Sequence, residues 1–199
     1  PLDLLRLPIF AMSIGTSVSS FAAQMLGFVS LPFLFQSIMG FSPGEVGLLM
    51  MPWPLATAFA APLAGRLSDR HSPAILGGIG LTAMAAGLLA LMLLPDEPAA
   101  ADVVWRMLLC GAGFGFFQTP NNRTLITSAP KERSGSASGM LSTARLTGQT
   151  TGAALAALLL AQIGISGAVI ALGVASGFAA LAATVSLARL RAFRRQNGG

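Results

Sequence analysis

Acidic and basic residues are so sparse and so unevenly spaced in this chain that they act as punctuation. Between Arg6 and Glu45 lie 38 residues without an Asp, Glu, Lys or Arg; the next gaps are 20 residues to Arg66, 25 from Arg70 to Asp96, 16 from Arg106 to Arg123, and 43 from Arg145 to Arg189. A helix needs about 20 consecutive apolar residues to cross a bilayer core. The 43-residue gap therefore holds more than one span, and Gln162-Ile163-Gly164-Ile165-Ser166-Gly167 is where it breaks. The spacing predicts six helices near residues 8–37, 45–65, 73–94, 103–122, 134–161 and 167–188. The fold class is thus all-α integral membrane. The runs are too long for barrel strands and lack polar–apolar alternation.

Composition agrees. Only 10% of residues are charged and 54% are hydrophobic, where a soluble domain carries roughly 25% charged. A soluble enzyme, a disordered tail and a nucleic-acid-binding module are excluded, and the lipid bilayer is the first expected partner. With one cysteine, Cys110, and one histidine, His71, no disulfide and no metal or cofactor site is expected. No nucleophile–base pair or phosphate loop is present, so enzyme activity is not expected. The chain opens Pro1-Leu2-Asp3 without an initiator Met and is expected to be a piece of something longer. It reads as a single bundle over residues 1–199, without a soluble domain, dividing near residue 98 into two three-helix sets, 1–98 and 99–199.

Six spans put both termini on one side. That side receives Arg6, Arg66, Arg70, Arg123, Lys131, Arg133, Arg189, Arg191, Arg194 and Arg195, ten of the twelve positive residues. The positive-inside rule then places both termini in the cytoplasm. The opposite side carries Glu45, Asp96, Glu97 and Asp102, with at most Arg106 at its edge; Asp96, Glu97 and Asp102 are expected as solvated outer-loop charges. The basic tail from Arg189 to Arg195 is expected to anchor at anionic headgroups rather than to bind nucleic acid.

Polar residues are concentrated on particular helices. Helix one carries Ser13, Ser17, Ser20 and Gln24 at intervals of 4, 3 and 4, one helical face. Helix four is glycine-rich from Gly111 to Gly115 and continues Gln118-Thr119-Pro120-Asn121-Asn122. Helix five carries Ser138, Ser142, Arg145, Gln149 and Gly152 on one face. Helices three and six are almost purely apolar and are read as lipid-facing. Ser17, Gln24, Gln118, Arg145 and Gln149, with Phe21, Phe28, Phe114 and Phe117 among them, are the candidate lining of a cavity for a small amphipathic substrate. Arg145 lies about ten residues into its helix, roughly 15 Å deep, where an arginine costs at least about 2.5 kcal/mol unless it faces a cavity or a partner. Substrate contact and packing against another half both satisfy it, just as interhelical hydrogen bonding would satisfy the glutamines. Small residues spaced by four, at Gly111/Gly115, Gly135/Gly139 and Ala144/Gly148/Gly152, permit close helix approach.

The loop Gly65-Arg66-Leu67-Ser68-Asp69-Arg70-His71-Ser72 resembles the signature loop of the major facilitator superfamily. That loop follows the second helix of each six-helix half on the cytoplasmic side, as it does here. Ser42-Pro43-Gly44-Glu45 with Met51-Pro52 resembles the first outer loop of C-terminal halves. Arg106 with Gly111, Gly113 and Gly115, Ala137-Ser138-Gly139, and Arg145 with Gly148 and Gly152 resemble the 14-span drug:proton antiporter branch. Ser72 and Pro73 depart from the usual glycine and basic residue.

The resemblance implies the C-terminal half of a secondary transporter in a plasma membrane, the bacterial inner membrane, partnered by an absent N-terminal half. It implies export of amphipathic drugs by proton antiport through rocking of the halves. Gly65, Arg66, Asp69 and Arg70 would form the gating loop, with Asp69 either capping a helix of the other half or paired to Arg66 or Arg70. No acidic residue sits inside a helix, so a coupling carboxylate would lie in the absent half. A polar-metabolite facilitator or symporter half and a non-transporting structural subunit are the alternatives.

Overall fold

Prolines open most of the helices. The computed structural model describes residues 2–95 and 97–197, with side chains for 3–95 and 97–190. After a short 3-10 turn at Leu2–Arg6, α1 runs Pro8–Phe33, α2 Pro43–Met50, α3 Pro52–Leu67, α4 Pro73–Met92, α5 Ala100–Thr127, α6 Ser134–Ile163 and α7 Ser166–Asn197. Proline starts α1, α2, α3 and α4, where its missing N–H is no loss. Six stretches are long and apolar enough to cross a membrane, α2 and α3 together making the second. Among the described residues there is no strand.

The expected single helix over 45–65 is in fact two. Pro52 and Pro54 remove two backbone donors, and the helix breaks at Met51. Its start is earlier than expected, because Ser42 and Glu45 form a reciprocal cap: the Ser42 N–H donates to Glu45 Oε2 (2.8 Å) and the Glu45 N–H to Ser42 Oγ (3.4 Å). Past Pro32, α1 loosens into a π-helical turn over Leu34–Ile38. The break expected after residue 161 falls at Gly164, whose φ of 70° is open to glycine.

Helices α4 and α7 pack on each other as a back layer. In front of them α1 packs on α6 and α7, and α5 on α3 and α4. Exchanging the first three spans with the last three leaves this pattern unchanged. Glycines set the closest approaches. A Cβ on Gly111 would strike the Trp53 carbonyl, one on Gly148 the Val18 carbonyl, and one on Gly152 the Ala22 carbonyl. Gly135 and Gly139 have nothing within 4 Å, so the small-residue pattern there makes no contact within this bundle.

Among the described residues two ion pairs tie distant segments at the end where α1 begins. Arg133 donates through both Nη atoms to Asp3, at 2.7 and 3.0 Å. The guanidinium holds the Asp3 carboxyl down to about 2 from an ordinary 3.8. The contribution of this pair is therefore complete above 3.8 and is lost as pH falls toward 2. The second pair is Asp69 with Arg123, described below.

One residue of the basic tail does not do what the sequence indicated. Arg189 is fully buried and turned into the bundle. It continues the stripe Ala175, Ala179, Ala182, Ser186 that α7 presents to its neighbours. The side chains of Arg191, Arg194 and Arg195 lie outside the described residues, as does Asp96.

Candidate functional site

On the front of the bundle α1, α3, α5 and α6 leave an open groove of about 280 Å³. It is lined by Phe21, Gln24 and Phe28 of α1, Trp53, Pro54, Thr57 and Ala58 of α3, Phe114 and Gln118 of α5, and Arg145 of α6. The groove exists because α1 and α5 touch only lightly, each being held by its own neighbours. Its walls are fixed by edge-on aromatic pairs, Phe21 with Phe114 (ring centroids 5.3 Å apart) and Phe28 with Trp53 (5.0 Å). Thr57 Oγ1 donates to the Gly111 carbonyl at 2.9 Å, clamping α3 to α5. Trp53 Nε1 is buried without a hydrogen-bond partner among the described residues.

Arg145 is the one charged side chain in this lining. Its guanidinium sits 5.5 Å from the centroid of the Phe21 ring, within cation–π range, and the side chain is otherwise exposed. The structure thus brings Gln24, Gln118 and Arg145 to one surface. Two other residues expected with them are elsewhere. Ser17 is fully buried and accepts a hydrogen bond from Asn121 Nδ2 at 2.8 Å; it lies on the face of α1 that packs inward, one turn from Phe21. Gln149 is half-buried one turn beyond Arg145 and outside the groove lining. Trp53 and Thr57 were not expected, since the proline-rich helix that bears them shows no polar face.

The signature loop is built at the end of α3. Ser68 Oγ donates to the Gly65 carbonyl (2.7 Å) and accepts from Arg123 Nη1 (3.2 Å), while Asp69 pairs with the same Arg123 nitrogen. Gly65 lies close to α5, with its Cβ position 3.4 Å from the Thr119 methyl. Arg66 and Arg70 are exposed, and neither is the partner of Asp69 among the described residues. The cation that meets Asp69 comes from the last turns of α5.

Over residues 12–198 the chain matches the family described as the Major Facilitator Superfamily. The chain belongs to this superfamily. It is 58% identical over 190 residues to the uncharacterized transporter YebQ of Escherichia coli (strain K12), covering 96% of this chain and 42% of that protein. It is 33% identical over 161 residues to the multidrug resistance protein Stp of Mycobacterium tuberculosis, 80% of this chain and 30% of Stp. A third relative is the riboflavin transporter RibZ of Clostridioides difficile, 28% identical over 128 residues, 64% of this chain and 28% of RibZ. The chain therefore spans less than half the length of these relatives. Its six apolar helices and superfamily membership make it an integral membrane protein of a transporter family.

For a superfamily member, the exposed Asp69–Arg123 pair invites a direct test. Such pairs contribute at most about 1 kcal/mol to stability. We propose that the loop gates transport, so that Asp69→Asn is expected to leave the amount of protein in the membrane unchanged while lowering transport by the full-length protein. Transport equal to wild type would reduce Asp69 to a solvated loop acid.

Proposed function

We propose that this chain is the C-terminal half of a secondary transporter that exports amphipathic compounds by proton antiport, and that its groove is one wall of the substrate path. The observation that carries the reading is the groove lining: four aromatic side chains, two carboxamides and one guanidinium on a single open surface. That combination offers stacking area and a few directional polar contacts. The missing wall is a second six-helix half. The spans that flank the groove are the least covered in the bundle, with 28% of the second and 17% of the fifth buried. Phe59, 78% exposed, and Leu146, 62% exposed, stand on those two spans as apolar surface for that half or for lipid. Ten cationic residues on the terminal side support a cytoplasmic location for both termini and a bacterial inner-membrane setting. The relative named as a multidrug resistance protein supports a drug-like substrate.

The full-length protein in liposomes, driven by a pH gradient, is expected to move an amphipathic dye. The 199-residue chain alone is expected to move none. Gradient-driven movement by the chain alone would overturn the half-transporter reading in favour of a self-assembled pair. A second reading, a polar aromatic metabolite as substrate, is favoured by the relative named as a riboflavin transporter and by the cation in the lining. Competition of such a metabolite with the dye decides between the two.

A further inference from the structure

Arg189 is a fully buried guanidinium with no carboxylate partner among the described residues. Its Nη1 donates to Ser13 Oγ of α1 (2.8 Å) and to Asn121 Oδ1 of α5 (2.7 Å). Its Nη2 donates to Ser186 Oγ (2.9 Å), which in turn donates to the Ala74 carbonyl of α4 (3.1 Å). Asn121 Nδ2 reaches across to Ser17 Oγ (2.8 Å) and the Ser13 carbonyl (3.3 Å). Gly77 of α4 leaves the room: a Cβ there would lie 2.9 Å from Ser186 Oγ.

Burying a cation among neutral oxygens is costly, and apolar side chains would fill the same space without that cost. What the cluster adds is direction. A planar fork of donors can donate only to oxygens at set positions, and two of those positions belong to α1 and α5, which both line the groove. Ser17 precedes Phe21 by one turn on α1, and Asn121 follows Gln118 by three residues on α5. The cluster therefore lies about one turn beyond the groove lining, toward the terminal side, and bridges two helices that otherwise touch only lightly.

Resting on the transport reading above, we infer that Arg189 is a positioning residue. Acting through Asn121, it sets the separation of α1 and α5, and with it the placement of Phe21 and Gln24 relative to Phe114 and Gln118.

The test uses the purified full-length protein with nitroxide labels at Gly15→Cys and Ile126→Cys. Both positions are exposed, and neither belongs to the groove or the cluster. The α1–α5 distance is expected to shift or broaden in Arg189→Lys, which keeps the charge but not the fork, and in Asn121→Leu. It should stay unchanged in Ser186→Ala, which spares the Asn121 arm. In the two shifted variants the apparent KM for dye should rise about tenfold, the loss of one buried hydrogen-bond partner, with the maximal rate per protein retained. An unchanged distance in Arg189→Lys and Asn121→Leu, or an equal shift in Ser186→Ala, would overturn the positioning role. A shifted distance with an unchanged KM would leave that role standing and refute the groove as the substrate path.

Discussion

Arg145→Leu in the full-length protein is expected, on the proposed reading, to lower transport of the amphipathic dye, normalised to protein in the membrane, by about tenfold or more, the cost of losing a charge-assisted contact of roughly 1.5–3 kcal/mol. The residue stands on the open wall of the groove with its guanidinium over Phe21, so its loss removes both the charge and a stacking plane. Arg145→Lys keeps the charge but not the plane, and should fall between the two. Membrane insertion should be intact or improved, because an arginine at this depth costs at least about 2.5 kcal/mol. Export equal to wild type in Arg145→Leu would remove Arg145 from the path and the groove assignment with it.

The second large effect concerns assembly. At the crossing of α4 and α5 the backbones meet: a Cβ on Gly113 would strike the Gly80 carbonyl, and one on Gly80 would lie 2.5 Å from the Gly113 carbonyl and 2.9 Å from the Phe116 Cβ. Gly113→Val must therefore drive the back layer from α5. Overpacking of this kind typically costs about 1–3 kcal/mol, and rigid backbone on both sides puts this case at the upper end or beyond. Thermal unfolding of purified protein should show a clear loss of stability for Gly113→Val and little change for the isolated bundle carrying Gly139→Val, which meets open space. Equal melting of Gly113→Val and wild type would mean that α4 and α5 do not meet backbone to backbone at Gly80 and Gly113.

That contrast shows what the sequence can and cannot reveal. Gly111/Gly115 and Gly135/Gly139 have the same spacing, yet one pair is jammed against α3 and the other is open. Spacing fixes which residues share a face; only the neighbouring helix decides whether the face is used. The span count was legible because charges are expensive in lipid and so mark most exits, and the one uncharged exit, Gln162 to Gly167, follows from a charge-free run too long for a single span. Gln24, Gln118 and Arg145 were legible as polar groups at mid-helix. Trp53 was not, because nothing in a run of prolines and alanines says which side of a broken helix turns inward. Arg189 was masked by the arginines after it, although its register with Ala182 and Ser186 carried the signal. The partner of Asp69, 54 residues away, is a tertiary fact that no local pattern encodes.

The break at Met51 and the π-helical turn after Pro32 lie at the same end of the bundle, away from the termini. Among the described residues the ion pair at that end is local, Asp102 with Arg106, as is the Ser42–Glu45 cap, and a neutral long-range side-chain tie in that half runs from Ser176 Oγ of α7 to the Ala85 carbonyl of α4 (2.9 Å). At the other end Asp3–Arg133, Asp69–Arg123 and the Arg189 cluster bolt distant segments together. The long-range ion pairs among the described residues are thus gathered at one end of the bundle, the end from which α1 starts. Bending of α1 and of the second span is expected to concentrate at the π-helical turn and at Met51, where the regular backbone ladder is interrupted.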